Sequence, residues 1–194
     1  MTFYSKKLIN DEDLSFRKIL GAYLKYQREY DTLSLNYVAD SLHMNKGYLS
    51  EVENGKKSLP LEHYEKLMRF FDIQFCYDKS ILDELRLKLY QVFESYINID
   101  YTKQKCFFED VLSQKERYEN SAGFFIFQLF SLFYTVRFKA NDEDKINTLI
   151  ELLERYLYIF TQEEAAIFYD IVAQYYLAKN RKECTVIYLE KARK

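Results

Sequence analysis

The stretch VADSLHMNKGYLSEVENG, residues 38–55, decides the reading of the chain. Val38, Ala39 and Leu42 share one helical face, and Leu49 and Val52 share another, with only Leu42-His43-Met44 between the two runs. Ser34 and Asn45 stand where each run begins, and both side chains can accept from the free amides of a first turn. Helices this short are unstable alone, so they must pack across one another. Asn54-Gly55 supplies the left-handed cap that ends the second of them. Working outward, Phe16, Leu20, Tyr23 and Leu24 recur at helical spacing and predict a preceding helix that stops in the polar segment 28–32. Downstream, Pro60 opens a further helix whose apolar face is Leu61, Tyr64, Leu67, Met68 and Phe71.

The rest of the composition agrees. Four glycines and one proline in 194 residues are too few for the turns of a strand-rich fold, so an all-α chain is expected. The net charge is −2, with 11 basic against 11 acidic residues up to position 75 and 17 against 19 beyond it. Attraction to phosphate is therefore not a property of the whole surface, and any nucleic-acid binding must come from a local arrangement. Cys76, Cys106 and Cys184 are odd in number and far apart, which suggests reduced cytoplasmic thiols and no metal site. The opening residues contain no apolar run of a signal peptide, and the most apolar stretch, 123–136, falls short of the roughly 20 residues that span a bilayer. Both histidines, His43 and His63, lie in the first 75 residues, no glycine-rich phosphate loop exists, and neither catalysis nor a cofactor is expected. His63 reads as a partly exposed polar residue. The acidic run Asp11-Glu12-Asp13 suits the N-terminus of the first helix.

From about Asp78 onward, amphipathic helices follow one another with polar breaks near 100–103, 119–121, 141–144, 161–163 and 180–181. About six helices, or three antiparallel hairpins, are expected. Phe124, Phe127, Phe130, Phe133 and Tyr134 recur at helical spacing and read chiefly as core or dimer interface, with lining of a ligand groove as the alternative.

Residues 20–55 resemble the phage-repressor, or XRE, type of helix-turn-helix. The matching positions are Leu20-Gly21, Leu24, Arg28, Leu33-Ser34, Ala39, Leu42, Leu49-Ser50 and Glu53-Asn54-Gly55, with His43 where many relatives have glycine. The resemblance implies an N-terminal four- or five-helix domain over residues 1–75 whose third helix enters the major groove of double-stranded DNA. It places Lys46 and Gly47 at the leading base-facing positions, Tyr48 beside them near the backbone, and Glu51 one turn later. Asn45 caps that helix at the same edge. Lys46 can donate to guanine and Glu51 can accept from cytosine. Asn54, Lys56 and Lys57 would meet phosphates, as would Ser34 at the start of the second helix. Arg28 and Glu53 occupy positions that form an ion pair in this family. Leu35, Gly47 and Glu51 depart from common choices, which implies modest affinity per domain and a homodimer reading an inverted repeat.

Residues 76–194 are weakly similar to tetratricopeptide-type hairpins, with Phe168, Ile171, Tyr175, Cys184 and Tyr188 at the patterned large, aromatic and small positions. Joined to the N-terminal motif, this resembles the cytosolic peptide-pheromone receptors of Gram-positive bacteria. The implied function is a transcription regulator whose C-terminal domain holds the dimer and senses a peptide or protein effector. The alternative is a helical interaction protein that does not bind DNA.

Overall fold

The computed structural model describes residues 14–76 and 78–193, so the acidic run Asp11-Glu12-Asp13 lies outside the described residues. Among the described residues, eleven α-helices follow one another. They are α1 (Leu14–Tyr30), α2 (Leu35–Ser41), α3 (Lys46–Glu53), α4 (Leu61–Phe70), α5 (Lys79–Ile97), α6 (Tyr101–Ser113), α7 (Lys115–Glu119), α8 (Phe124–Phe138), α9 (Glu143–Arg155), α10 (Gln162–Ala178) and α11 (Lys182–Ala192). A single 3₁₀ turn, Leu157–Ile159, separates α9 from α10. The chain is all-α, and its described residues contain no β-strand, only an isolated bridge between Cys76 and Ser121.

Two compact units result. One runs to Lys79 and includes Asn120–Ala122, and the other holds Ser80–Glu119 and Gly123–Lys194. In the first, Cys76 donates its amide to the Asn120 carbonyl at 2.8 Å and accepts from Ala122 at 3.1 Å. No sequence signal announces this return segment. The core of the unit is built from Leu20, Tyr23 and Leu24 of α1, Val38 and Ala39 of α2, Leu49 and Val52 of α3, and Leu67 and Met68 of α4. Gly21 lets α1 and α3 meet, because a Cβ there would lie 2.2 Å from the Val52 carbonyl oxygen and 2.9 Å from that of Glu53. Glycine costs a helix about 1 kcal/mol relative to alanine, and here the close approach of two backbones requires it.

Six helices end in the same paired-bond cap. The residues Thr32, His43, Gly55, Asp72, Ile99 and Asn180 all have φ between 50° and 66°. In each case the next amide bonds back five residues, as Leu33 does to Arg28, Met44 to Ala39 and Asp100 to Ser95. The left-handed residue and the returning bond satisfy carbonyls that would otherwise be orphaned. Five of these six positions carry a side chain, which is how the chain ends so many helices with so few glycines.

The second unit is organised on α8, whose sequence FFIFQLFSLFYTVRF is apolar all round. Phe124, Phe127, Phe130 and Phe133 are buried, and α6, α7, α9 and α10 all pack against this helix. Its two internal hydroxyls are satisfied within the helix, Ser131 by the Phe127 carbonyl and Thr135 by that of Ser131. The hairpin α10/α11 has the most extensive pairing in the unit. Seven helices stand where about six are expected. The additional break falls at Gln114, where Ser113 Oγ and Gln114 Nε2 both bond the Asp110 carbonyl and compete with the helical ladder. The break expected at 100–103 lies earlier, because Asp100 caps α6 by accepting from the Lys103 amide, so Tyr101 already belongs to the first turn.

Two charged clusters tie this unit together. Glu164, fully buried, accepts from Arg86 Nε at 2.6 Å and from the Thr161 amide at 2.8 Å, closing the capping box of α10. Glu84 on α5 accepts from Lys88 at 2.8 Å, Arg117 at 2.8 Å and Tyr118 at 3.1 Å, while Lys88 also reaches Asp110 at 2.6 Å. These hydrogen bonds, that of Lys88 foremost, hold the Glu84 carboxyl at about 2.

Candidate nucleic-acid interface

Helix α3 buries Leu49, Val52 and Glu53 and turns Lys46, Gly47, Ser50, Glu51 and Asn54 outward. The two faces follow from its spacing, since positions three and four apart share a side. Asn45 starts the helix by accepting the Tyr48 amide at 3.1 Å, and Ser34 starts α2 by accepting that of Tyr37 at 3.1 Å. His43 sits between them at φ 53°, in the left-handed conformation the three-residue turn requires.

The back of α3 is held by a two-pronged ion pair. Arg28 Nε lies 2.7 Å from Glu53 Oε1 and its Nη2 lies 2.8 Å from Oε2, while Nη1 donates to the Leu33 carbonyl at 3.0 Å. With the Glu53 side chain only 5% exposed, the pair joins α1, the turn after it and the end of α3. Two parallel bonds fix angle as well as distance, so α3 cannot roll without breaking both.

The front is partly self-engaged. Tyr48 packs its ring 5.9 Å from that of His63 on α4 and donates its hydroxyl to the Ser58 carbonyl at 2.8 Å. Burial raises its hydroxyl pKa above the ordinary value, with nearby Lys57 acting in the opposite direction. This residue therefore braces α3 against the exit loop. Glu51 pairs with Lys57 at 2.7 Å, and Asn54 Nδ2 donates to the Ser50 carbonyl at 2.7 Å. Among the described residues, Lys46 and Lys56 have no acidic partner and both are exposed. Gly47 is exposed and adds no side chain.

The geometry brings Asn45, Lys46, Gly47, Glu51, Asn54, Lys56 and Lys57 onto or beside one helix, with Ser34 at the start of the helix before it. It adds Ser50, half-exposed between Lys46 and Asn54 on the same side. The 3.6-residue period from Lys46 points to it. Residues 24–77 match the helix-turn-helix family model. The helix-turn-helix match spans α2, α3 and α4 and begins within α1, so it includes both members of the Arg28–Glu53 pair. No curated protein and no solved structure matches the chain significantly.

Among the described residues, no helix is long and apolar enough to cross a membrane, and no group of histidine, cysteine and carboxylate side chains is placed to hold a metal ion.

Proposed function

We propose that the chain is a sequence-specific DNA-binding transcription regulator acting in the cytoplasm, with α3 lying in the major groove. The observation that carries this reading is the contrast between the two sides of α3: a back fixed by a bidentate ion pair and a glycine contact, and a front whose leading residues face solvent. A rigid helix with open polar positions at its N-terminal half is what base reading requires. In this reading Lys46 contacts a base edge, Ser50 and Glu51 follow one turn later, and Lys56 and Lys57 meet phosphates. Glu51 and Lys57 exchange their mutual pair for DNA on binding, which reduces the net gain from each. Modest affinity per domain then favours a homodimer on an inverted repeat with half-sites roughly 34 Å apart. The second unit, with its hairpins α8/α9 and α10/α11, holds the dimer and senses an effector.

A protein-binding adaptor is the second reading, favoured by the Glu51–Lys57 pair, which neutralises part of the face DNA would need. Genome-wide capture of DNA bound by the tagged protein separates the two. The regulator reading expects an enriched inverted repeat and an affinity that falls steeply with salt. No DNA binding even at low salt transfers the weight to the adaptor.

A further inference from the structure

The last turn of α8 carries an arginine whose environment is finished on three sides. The Arg137 guanidinium carbon lies 5.1 Å from the Tyr96 ring centroid and 4.7 Å from that of Tyr101. Its Nε lies 3.3 Å from Gln104 Oε1. Gln104 is fully buried and its Nε2 donates to the Ser95 carbonyl at 3.2 Å, so the amide is locked with its oxygen toward the arginine. Tyr96 is held in turn, its hydroxyl donating to Gln174 Oε1 while Gln174 Nε2 donates to Asp170 at 2.8 Å. Asp170 is thereby engaged through the glutamine, and among the described residues no carboxylate pairs with Arg137. Arg137 is only half-buried, and neither of its terminal nitrogens is a buried donor without a partner. A guanidinium stacked on two rings and anchored through Nε presents its remaining donors as a prepositioned fork.

The adjoining α5–α6 turn gives a second, independent observation. Ile97 is 63% exposed, Ile99 68% and Tyr101 55%, and Phe138 beside Arg137 is also exposed. Ile99 has φ 59°, a conformation that β-branched residues rarely adopt and that glycine or asparagine would take without strain. The positive φ belongs to the cap that ends α5, and the fold leaves an isoleucine in water at this corner where glycine or asparagine would close the cap more easily.

We propose that Arg137 with Tyr96 and Tyr101 forms a binding site for an organic monocarboxylate, whose apolar body lies on Ile97, Ile99 and Tyr101. The fork receives both carboxylate oxygens. One guanidinium, with the Asp170 charge acting on the same tyrosine, suits a single negative charge rather than a phosphate dianion. The site gives the effector in the proposed function a location and a chemistry. Direct binding tests it, so a failure of DNA binding leaves it unaffected.

The test uses the full chain labelled with ¹⁵N-arginine, following the Arg137 Nε–H resonance as hexanoate, N-acetylphenylalanine and N-acetylphenylalaninamide are added. Saturable binding of a carboxylate with Kd on the order of 1 mM is expected, with the uncharged amide at least tenfold weaker. Preference for N-acetylphenylalanine assigns the site to a peptide end, and preference for hexanoate to a free acid. Arg137→Gln removes carboxylate binding, read by ligand-observed NMR. Ile99→Asn, which relieves the backbone, raises the melting temperature yet weakens binding several-fold. Equal binding of acid and amide, or an Arg137 resonance unmoved by either acid, overturns the proposal. So does an Ile99→Asn variant that binds as the parent does.

Discussion

Each compact unit has an arginine–glutamate pair at its centre, and the two pairs are built differently. Arg28 grips both oxygens of Glu53 and a backbone carbonyl as well, across 25 residues of chain. Arg86 meets one oxygen of Glu164 across 78 residues, and the glutamate's other oxygen closes a helix cap. The first pair orients the helix that faces outward. The second ties the buried start of α10 to α5. Similar chemistry thus serves direction in one unit and cohesion in the other, and neither pair is a simple gain in stability, since desolvating two charges offsets much of their attraction.

The comparison is broken most severely by removing one partner. Arg28→Met and Arg86→Met should each destabilise the protein by about 3–5 kcal/mol, because each leaves a buried carboxylate uncompensated. Denaturant unfolding with amide exchange resolved along the chain should show the first variant loosening α1 and α3 and the second loosening α5 and α10. Identical exchange patterns in the two variants would mean that the units do not unfold separately and that the contrast is false.

A smaller effect sharpens the first half of the comparison. Gly21→Ala should cost about 1–3 kcal/mol although alanine is the better helix former, because its methyl would meet the α3 backbone. If the variant were instead more stable, α1 and α3 would not approach as closely as described, and the bidentate pair would lose its reason.

The smallest effect belongs to the second unit and depends on pH. Glu84 has a folded pKa of about 2, below its ordinary value, so its contribution is fully present above about pH 4.5 and is lost as pH falls toward 2. Thermal melts of Glu84→Gln against the parent should therefore converge as the solution is acidified from pH 6 to pH 2. A difference that grows on acidification would contradict the Lys88–Arg117 arrangement.

What the sequence reveals differs between the units for a physical reason. In the first, α2 and α3 are short and their starts are announced by Ser34 and Asn45, whose side chains act on residues three positions away. Arg28 and Glu53 fall at spaced positions of a compact motif. In the second, Glu164 finds Arg86 across four intervening α-helices, and nothing local to either residue names the other. The end of α5 is poorly announced, since its left-handed cap is Ile99 and propensity points away from a β-branched residue there. The end of α6 carries no such signal, because Gln114 and Ser113 break the ladder with side-chain bonds that glycine and proline rules do not anticipate. On α3 the outward side follows from period alone, but the inward tie of Tyr48 to Ser58 and the Glu51–Lys57 pair depend on where the exit loop returns.

The measurement that bears most directly on the central claim is a binding titration on the captured DNA site at two salt concentrations, with the parent chain and Lys46→Ala. The account predicts salt-dependent binding by the parent and a loss of about 1–3 kcal/mol for Lys46→Ala on that site, with little change on unrelated duplex. Site binding unchanged by Lys46→Ala, or no DNA binding by the parent at either salt concentration, would contradict the assignment of α3 as the reading helix.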